Sequence, residues 1–180
     1  MVLDDHLIID VMERNPLTLL ADMSVAEALA QFEQANVQGA PVVDADKRLL
    51  GFFSVHDLLV NLWRLDYAKQ QQAVSVASLM TTEVHTVRGS DSVLQLAEYM
   101  SIDHDQLYPV NSSGMMLNMS DADLEQRIRN MKVSRPKQYP VVADGIVIGL
   151  VNRGHIANLM QGLCYRGSAE QEATDANQVA

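Results

Sequence analysis

The chain has 180 residues, 48% of them hydrophobic, with 13 basic against 23 acidic side chains and a formal net charge of −10, which suits one domain or two small ones. This acidity, without any Lys/Arg-rich run, argues against nucleic acid and anionic membranes as partners, although screening over roughly 8 Å still lets local donors hold a small anion. No apolar run reaches the roughly 18 residues of a membrane span, the start Met1-Val2-Leu3-Asp4 lacks a secretory pattern, and the single Cys164 cannot close an intramolecular disulfide, so a reducing cytoplasm is the expectation.

In chain order, Leu7 to Met12 reads as a helical turn, and Asn15-Pro16 is a turn signal. Leu17 to Leu20 is a short extended run. Ser24 then opens a helix in which Val25, Ala28, Leu29, Phe32 and Ala35 share one apolar face. Gln38-Gly39 breaks that helix. Ala40 to Val43 is predicted as a strand, Asp44-Ala45-Asp46-Lys47 as a hairpin turn and Leu49 to Phe53 as the returning strand. A further helix is predicted from about Val55 to Leu65. The unit is β-α-β-β-α. Residues from about 66 to 74, with Gln70-Gln71-Gln72, read as the end of that helix and a linker, and 167–180 as a disordered tail.

Displaced by 68 positions, the pattern returns: Val11-Met12 falls on Leu79-Met80, Thr18 on Thr86, Ser24-Val25 on Ser92-Val93, and Pro41-Val42 on Pro109-Val110. The register then breaks, and a second Tyr-Pro-Val appears at Tyr139-Pro140-Val141. Two arrangements are open. In the favoured one, repeat two carries an insert of about 31 residues, within about 103–138, before the strand at Tyr139; the hairpin then closes through Asp144-Gly145. In the other, Tyr108-Pro109-Val110 is the strand and the insert lies within the hairpin. Either way Ser120-Asp121-Ala122-Asp123 starts a helix with Leu124, Ile128 and Met131 as its apolar stripe.

The stretch Gly51-Phe52-Phe53-Ser54-Val55-His56-Asp57-Leu58-Leu59 passes from strand to helix with a hydroxyl and a carboxylate three residues apart. Two readings stand. Ser54 caps the helix with Asp57 at its third position, an arrangement worth about 1 kcal/mol; or the junction presents backbone N–H groups, the hydroxyl and the carboxylate to a ribose phosphate.

A tandem pair of β-α-β-β-α units, each with Pro-Val before a hairpin and Gly-apolar-apolar-Ser-x-x-Asp after the first, resembles the CBS domain pair, or Bateman module. The resemblance spans about 8–162, with 8–68 as repeat one and 75–162 as repeat two. It implies an α+β fold of two pseudo-symmetric repeats and a non-enzymatic regulatory module, which binds an adenosine compound (AMP, ADP or ATP, or NAD or S-adenosylmethionine) between the repeats and signals to a regulated protein. Carried over by position, Asp57 would accept from the ribose hydroxyls, Ser54 and the helix start at Val55-His56 would meet phosphate, and Gln38, Gly39, Ala40 and Pro41 would flank adenine. Repeat two has Asn152 and His155 in place of Ser54 and Asp57, so its site is expected to be degenerate, with Arg153 and His155 left to attract phosphate. The resemblance also implies a homodimer through the closing helices, where Trp63 falls. The alternative is a structural or protein-interaction module that needs no ligand, with helix 121–132 as its contact surface. His56, His85, His104 and His155 have no metal-ligand spacing, and the neighbours of Cys164 suggest packing rather than nucleophilic chemistry.

Overall fold

A computed structural model describes residues 5–68, 74–103, 107 and 121–162. The strand reading of Tyr108–Val110, the roles given to His104, Trp63 and Cys164, the Gln70–Gln72 linker and the 167–180 tail lie outside the described residues or side chains.

The chain runs α1 (Ile8–Val11), β1 (Glu13–Arg14), β2 (Leu19–Leu20), α2 (Val25–Ala35), β3 (Gly39–Val43), β4 (Leu49–Ser54) and α3 (Val55–Ala68). A single 3-10 turn, Val76–Ser78, leads to α4 (Val93–Ser101). Helix Asp121–Asn130 comes next, then β5 (Gln138–Ala143), β6 (Ile146–Asn152) and a closing helix over 153–162. The architecture is α+β, with two three-stranded sheets in the orders β2-β3-β4 and β1-β6-β5.

Local chemistry sets these elements. The Ser24 hydroxyl accepts from the Glu27 amide, and Glu27 reaches back to the Ser24 amide at 3.0 Å, which fixes the start of α2. That helix ends at Asn36, whose left-handed φ of 53° closes the last turn. In the β5–β6 hairpin Asp144 and Gly145 both take positive φ, 52° and 82°, as a two-residue turn of the primed type requires. The β3–β4 turn is held by the Asp44 carboxylate, which accepts from the amides of Asp46 and Arg48 at 2.9 Å each.

The two halves match pairing for pairing. Val42 faces Gly51 in one hairpin and Val141 faces Gly149 in the other, and both hairpins bulge one residue later. Leu19 pairs in parallel with Val42, and Val87 bridges in parallel to Val141. Pro41 and Pro140 occupy the same position in each. Pro41 is tolerated because it faces Phe52, whose N–H and C=O turn the other way, to Thr81 (2.8 and 2.9 Å).

Packing exchanges the opening segments of the repeats. The core around Leu19, Ala28, Phe32, Val42 and Phe53 is completed by Val76 and Leu79. The core around Val93, Leu96, Met100, Val141 and Val151 is completed by Ile8. Likewise β1 pairs with β6, while Thr81 bridges to Phe52 on β4. Two glycines permit these approaches. A Cβ on Gly51 would lie 2.8 Å from the Thr81 carbonyl, and one on Gly149 2.9 Å from that of Glu13. The hairpin tips also join, the Leu49 amide donating to Gly145 O and the Val147 amide to Lys47 O, each at 3.0 Å.

Candidate functional site

The β4-to-α3 junction is buttressed from behind. Gly39 pairs with Ser54 across the hairpin, and a Cβ on Gly39 would stand 2.9 Å from that of Ser54. The Val55 amide donates to Gln38 O at 2.9 Å, which sets the angle at which α3 leaves the sheet. Asp57, half-buried, then folds back on the junction. Its Oδ2 accepts from the Ser54 amide at 2.8 Å and from the Ser54 hydroxyl, and its Oδ1 accepts from the Thr81 hydroxyl at 3.1 Å. The Asp57 amide in turn donates to Ser54 Oγ at 3.4 Å.

The capping arrangement is therefore formed, with an added bond to Thr81 from the other half of the chain. It does not exhaust the carboxylate, whose two oxygens offer about four acceptor positions. The amides of Ser54, Val55 and Asp57 are all engaged, however, so the start of α3 has little free donor capacity for an anion.

A cleft of about 580 Å³ opens beside this junction. Gln38, Phe52, Ser54, Val55, His56, Asp57 and Leu59 line it from the first repeat. Thr81, Glu83, Val84 and His85 line it from the crossing segment, and Arg135 to Gln138 from the entry to β5. Of the residues predicted for the site, Ser54, His56, Asp57 and Gln38 meet here. Gly39, Ala40 and Pro41 do not line the cleft: they are buried in β3, behind Gln38.

In repeat two the pseudo-equivalent junction keeps the cap and changes the chemistry. Asn152 Oδ1 accepts from the His155 amide at 3.1 Å, as Ser54 does from Asp57. Arg153 donates through Nη2 to Met100 O at 2.8 Å, so its guanidinium is partly committed to holding α4. Tyr139 OH and His155 Nδ1 are buried with no hydrogen-bond partner among the described residues. Burial pushes the Tyr139 phenol above its usual range, Tyr99 adds to this, and Arg135 and Arg153 oppose it. Asn152, Arg153 and His155 do not line the cleft at Asp57.

Sequence reasoning missed Thr81, Glu83, His85, Arg135 and Lys137. Arg135 is half-buried, its guanidinium carbon 3.8 Å from the centroid of the Tyr99 ring. No local motif marks these residues: Thr81, Glu83 and His85 reach Asp57 through the exchange of segments, and Arg135 and Lys137 reach the cleft from the entry to β5. Among the described residues no three His, Cys, Asp or Glu side chains are grouped as metal ligands, and no helix is long and apolar enough to cross a membrane.

Comparison with known proteins agrees with the geometry. The CBS domain family model matches residues 8–64. A putative acetoin utilization protein from Vibrio cholerae is 21% identical with a TM-score of 0.62, over 91% of this chain and 96% of that one. The CBSX2 protein, solved in complex with AMP, is 24% identical with a TM-score of 0.59, over 88% and 98%; CBSX2 from Arabidopsis thaliana superposes similarly at 23% and 0.60, over 89% and 97%. The CBS domain pair of MJ0100, in complex with 5′-methylthioadenosine and S-adenosyl-L-methionine, is 21% identical with a TM-score of 0.56, over 87% and 97%. No curated protein matches the sequence.

Proposed function

We propose that this chain, a CBS domain pair by fold with a CBS domain at 8–64, is a regulatory module that binds an adenosine nucleotide in the cleft at Asp57 and passes its occupancy to a partner protein. The observation that carries this reading is a half-buried carboxylate at a strand-to-helix junction, facing a cleft of about 580 Å³ whose walls come from both repeats. That volume falls in the range of about 300–1,000 Å³ usual for small-molecule sites. The carboxylate has acceptor capacity left for a ribose hydroxyl, and a hydrogen bond to an ionised acceptor contributes about 1.5–3 kcal/mol. The fold-mates solved with AMP and with methylthioadenosine and S-adenosylmethionine support an adenosine compound as the ligand class. Because the cleft touches both repeats, a ligand there has differential contacts with states that differ in how the repeats sit, the one way binding shifts such an equilibrium.

Repeat one (8–68), repeat two (75–162) and the insert at about 103–138 are the units in which we cast this mechanism, with the reducing cytoplasm as its setting. A homodimer through the closing helices is supported by the exposed apolar Leu59 and Val60 on α3 and Met160 on the last helix. The second reading is a structural module that binds no nucleotide. It draws on one fact: Asp57 already accepts from Ser54 and Thr81, which a purely structural cap would also do.

Calorimetry with AMP, ADP, ATP, NAD and S-adenosylmethionine separates the two. Binding in the wild type, lost in Asp57→Asn with the circular dichroism spectrum unchanged, is the expected outcome. No heat from any of the five at millimolar concentration leaves only the structural reading.

A further inference from the structure

Thr81 belongs to the crossing segment and reaches Asp57 from the other half of the chain, its hydroxyl donating to Asp57 Oδ1 at 3.1 Å. Its backbone is fixed: the Phe52 amide donates to Thr81 O at 2.8 Å and the Thr81 amide to Phe52 O at 2.9 Å. Its side chain is not, since it is exposed on the wall of the cleft and can turn between staggered rotamers about a single bond. Ser54 is held more firmly, because its backbone amide as well as its hydroxyl donates to Oδ2. A carboxylate offers about four acceptor positions. Among the described residues, the Ser54 amide, the Ser54 hydroxyl and the Thr81 hydroxyl already take three of them. What remains lies on Oδ1, where a ribose would bring two neighbouring hydroxyls. The same register position in the other half is Glu13, opposite Leu150 as Thr81 is opposite Phe52, and there His155 takes the place of Asp57. A hydroxyl donor goes with the carboxylate and an acid with the imidazole, so the two positions are chemically matched in each half.

We infer that the Thr81 hydroxyl is an internal stand-in for a ribose hydroxyl: it occupies part of the diol-binding face of Asp57, yields it to a vicinal diol, and so sets the selectivity of the site between ribose and 2′-deoxyribose. This rests on the ribose reading of Asp57 and adds to it a residue that governs the affinity. A ligand with one sugar hydroxyl takes the remaining acceptor position and leaves Thr81 in place. A ligand with two must take the position that Thr81 holds, and thereby breaks a side-chain bond between Asp57 and the crossing segment. Occupancy by a riboside is felt in that segment, and occupancy by a deoxyriboside is not.

The test is calorimetry on the full chain with AMP and 2′-deoxy-AMP, for the wild type, Thr81→Val, Thr81→Ala and Thr81→Ser. In the wild type the second ribose bond replaces one made by the protein, so the two nucleotides should bind within about threefold of each other. Thr81→Val keeps the size of the side chain and removes the competitor; it should bind AMP about two- to tenfold tighter, the worth of one hydrogen bond exchanged against water. Its affinity for 2′-deoxy-AMP should stay at the wild-type value, which also shows that the cleft is intact. Thr81→Ala should follow Thr81→Val, and Thr81→Ser, which keeps the hydroxyl, should follow the wild type. AMP affinity that is unchanged or weaker in both Thr81→Val and Thr81→Ala overturns the displacement and makes Thr81 a positioning residue for Asp57, with the ribose site left standing. An equal gain for both nucleotides overturns it too, because the effect then does not pass through the diol. If neither the wild type nor Thr81→Val binds AMP, the ribose reading falls and this inference with it.

Discussion

In the function proposed, Asp57 has two duties that pull on the same two oxygens. As the third residue of α3 it closes the junction on Ser54, and as the carboxylate facing the cleft it is the group a ribose would meet. The duties separate by substitution. Ser54→Ala removes the hydroxyl of the cap and keeps the carboxylate; it should cost about 1 kcal/mol, read as a lowered urea midpoint, with AMP affinity changed by less than Asp57→Asn changes it. A larger loss of affinity in Ser54→Ala than in Asp57→Asn would assign the ribose contact to the wrong residue. Gly149 gives a second prediction at this scale. An added Cβ meets the Met12 sulfur at 2.5 Å and the Glu13 carbonyl at 2.9 Å, and a backbone atom cannot swing aside. Gly149→Ala should therefore destabilise by about 1–3 kcal/mol, measurable by denaturant titration. Ser54 and Asp57 were legible in the sequence because a cap is local: two polar residues three apart at a strand-to-helix junction carry their own signal. Arg135 and Lys137 were not, because nothing in their neighbourhood relates them to Asp57.

At the scale of elements, the repeat in the sequence foretold which residues are equivalent but not which core each one joins. Periodicity matches Ile8 with Val76, and both complete a core; it is silent on the fact that each completes the core of the other repeat. The strand β1 was missed for the same reason: Glu13-Arg14 has no strand composition of its own and is extended because it pairs with Leu150 and Gly149. By contrast the hairpins and α2 were readable, since the Asp-Gly turn, the apolar face that follows Ser24 and the break at Gln38-Gly39 act within a few residues. The exchange makes a directional prediction. Ile8→Ala, a cavity in a fully buried site, should cost about 2–5 kcal/mol. In hydrogen-exchange mass spectrometry the extra exchange should appear in α4 and the β5–β6 hairpin, while β3 and β4 stay protected. Loosening confined to β3–β4 would place Ile8 in the wrong core.

At the scale of the whole molecule, the two sheets are joined at their hairpin tips and by the crossing segments. One consequence concerns fragments. The span 8–64 matched by the family model contains α1, which packs elsewhere, and lacks Val76, Leu79 and Thr81, which close its own core and sheet edge. Expressed alone, that span should fail to unfold cooperatively in a thermal melt, whereas a fragment extended through the Thr81 bridge should recover a transition.

The exchanged opening segments also govern how the chain reaches this state. Ile8 leaves the ribosome long before its packing partners Val141 and Val151 are made. That core can close only after Val151 has been made, by joining segments separated by a long loop with its entropic cost. High sequence separation of contacts slows folding. The first core, whose contacts run from Leu19 to Leu79, can form earlier. Synthesis thus imposes an order: one half assembles with its amino-terminal tether still empty-handed, and the tether is taken up when the other half arrives.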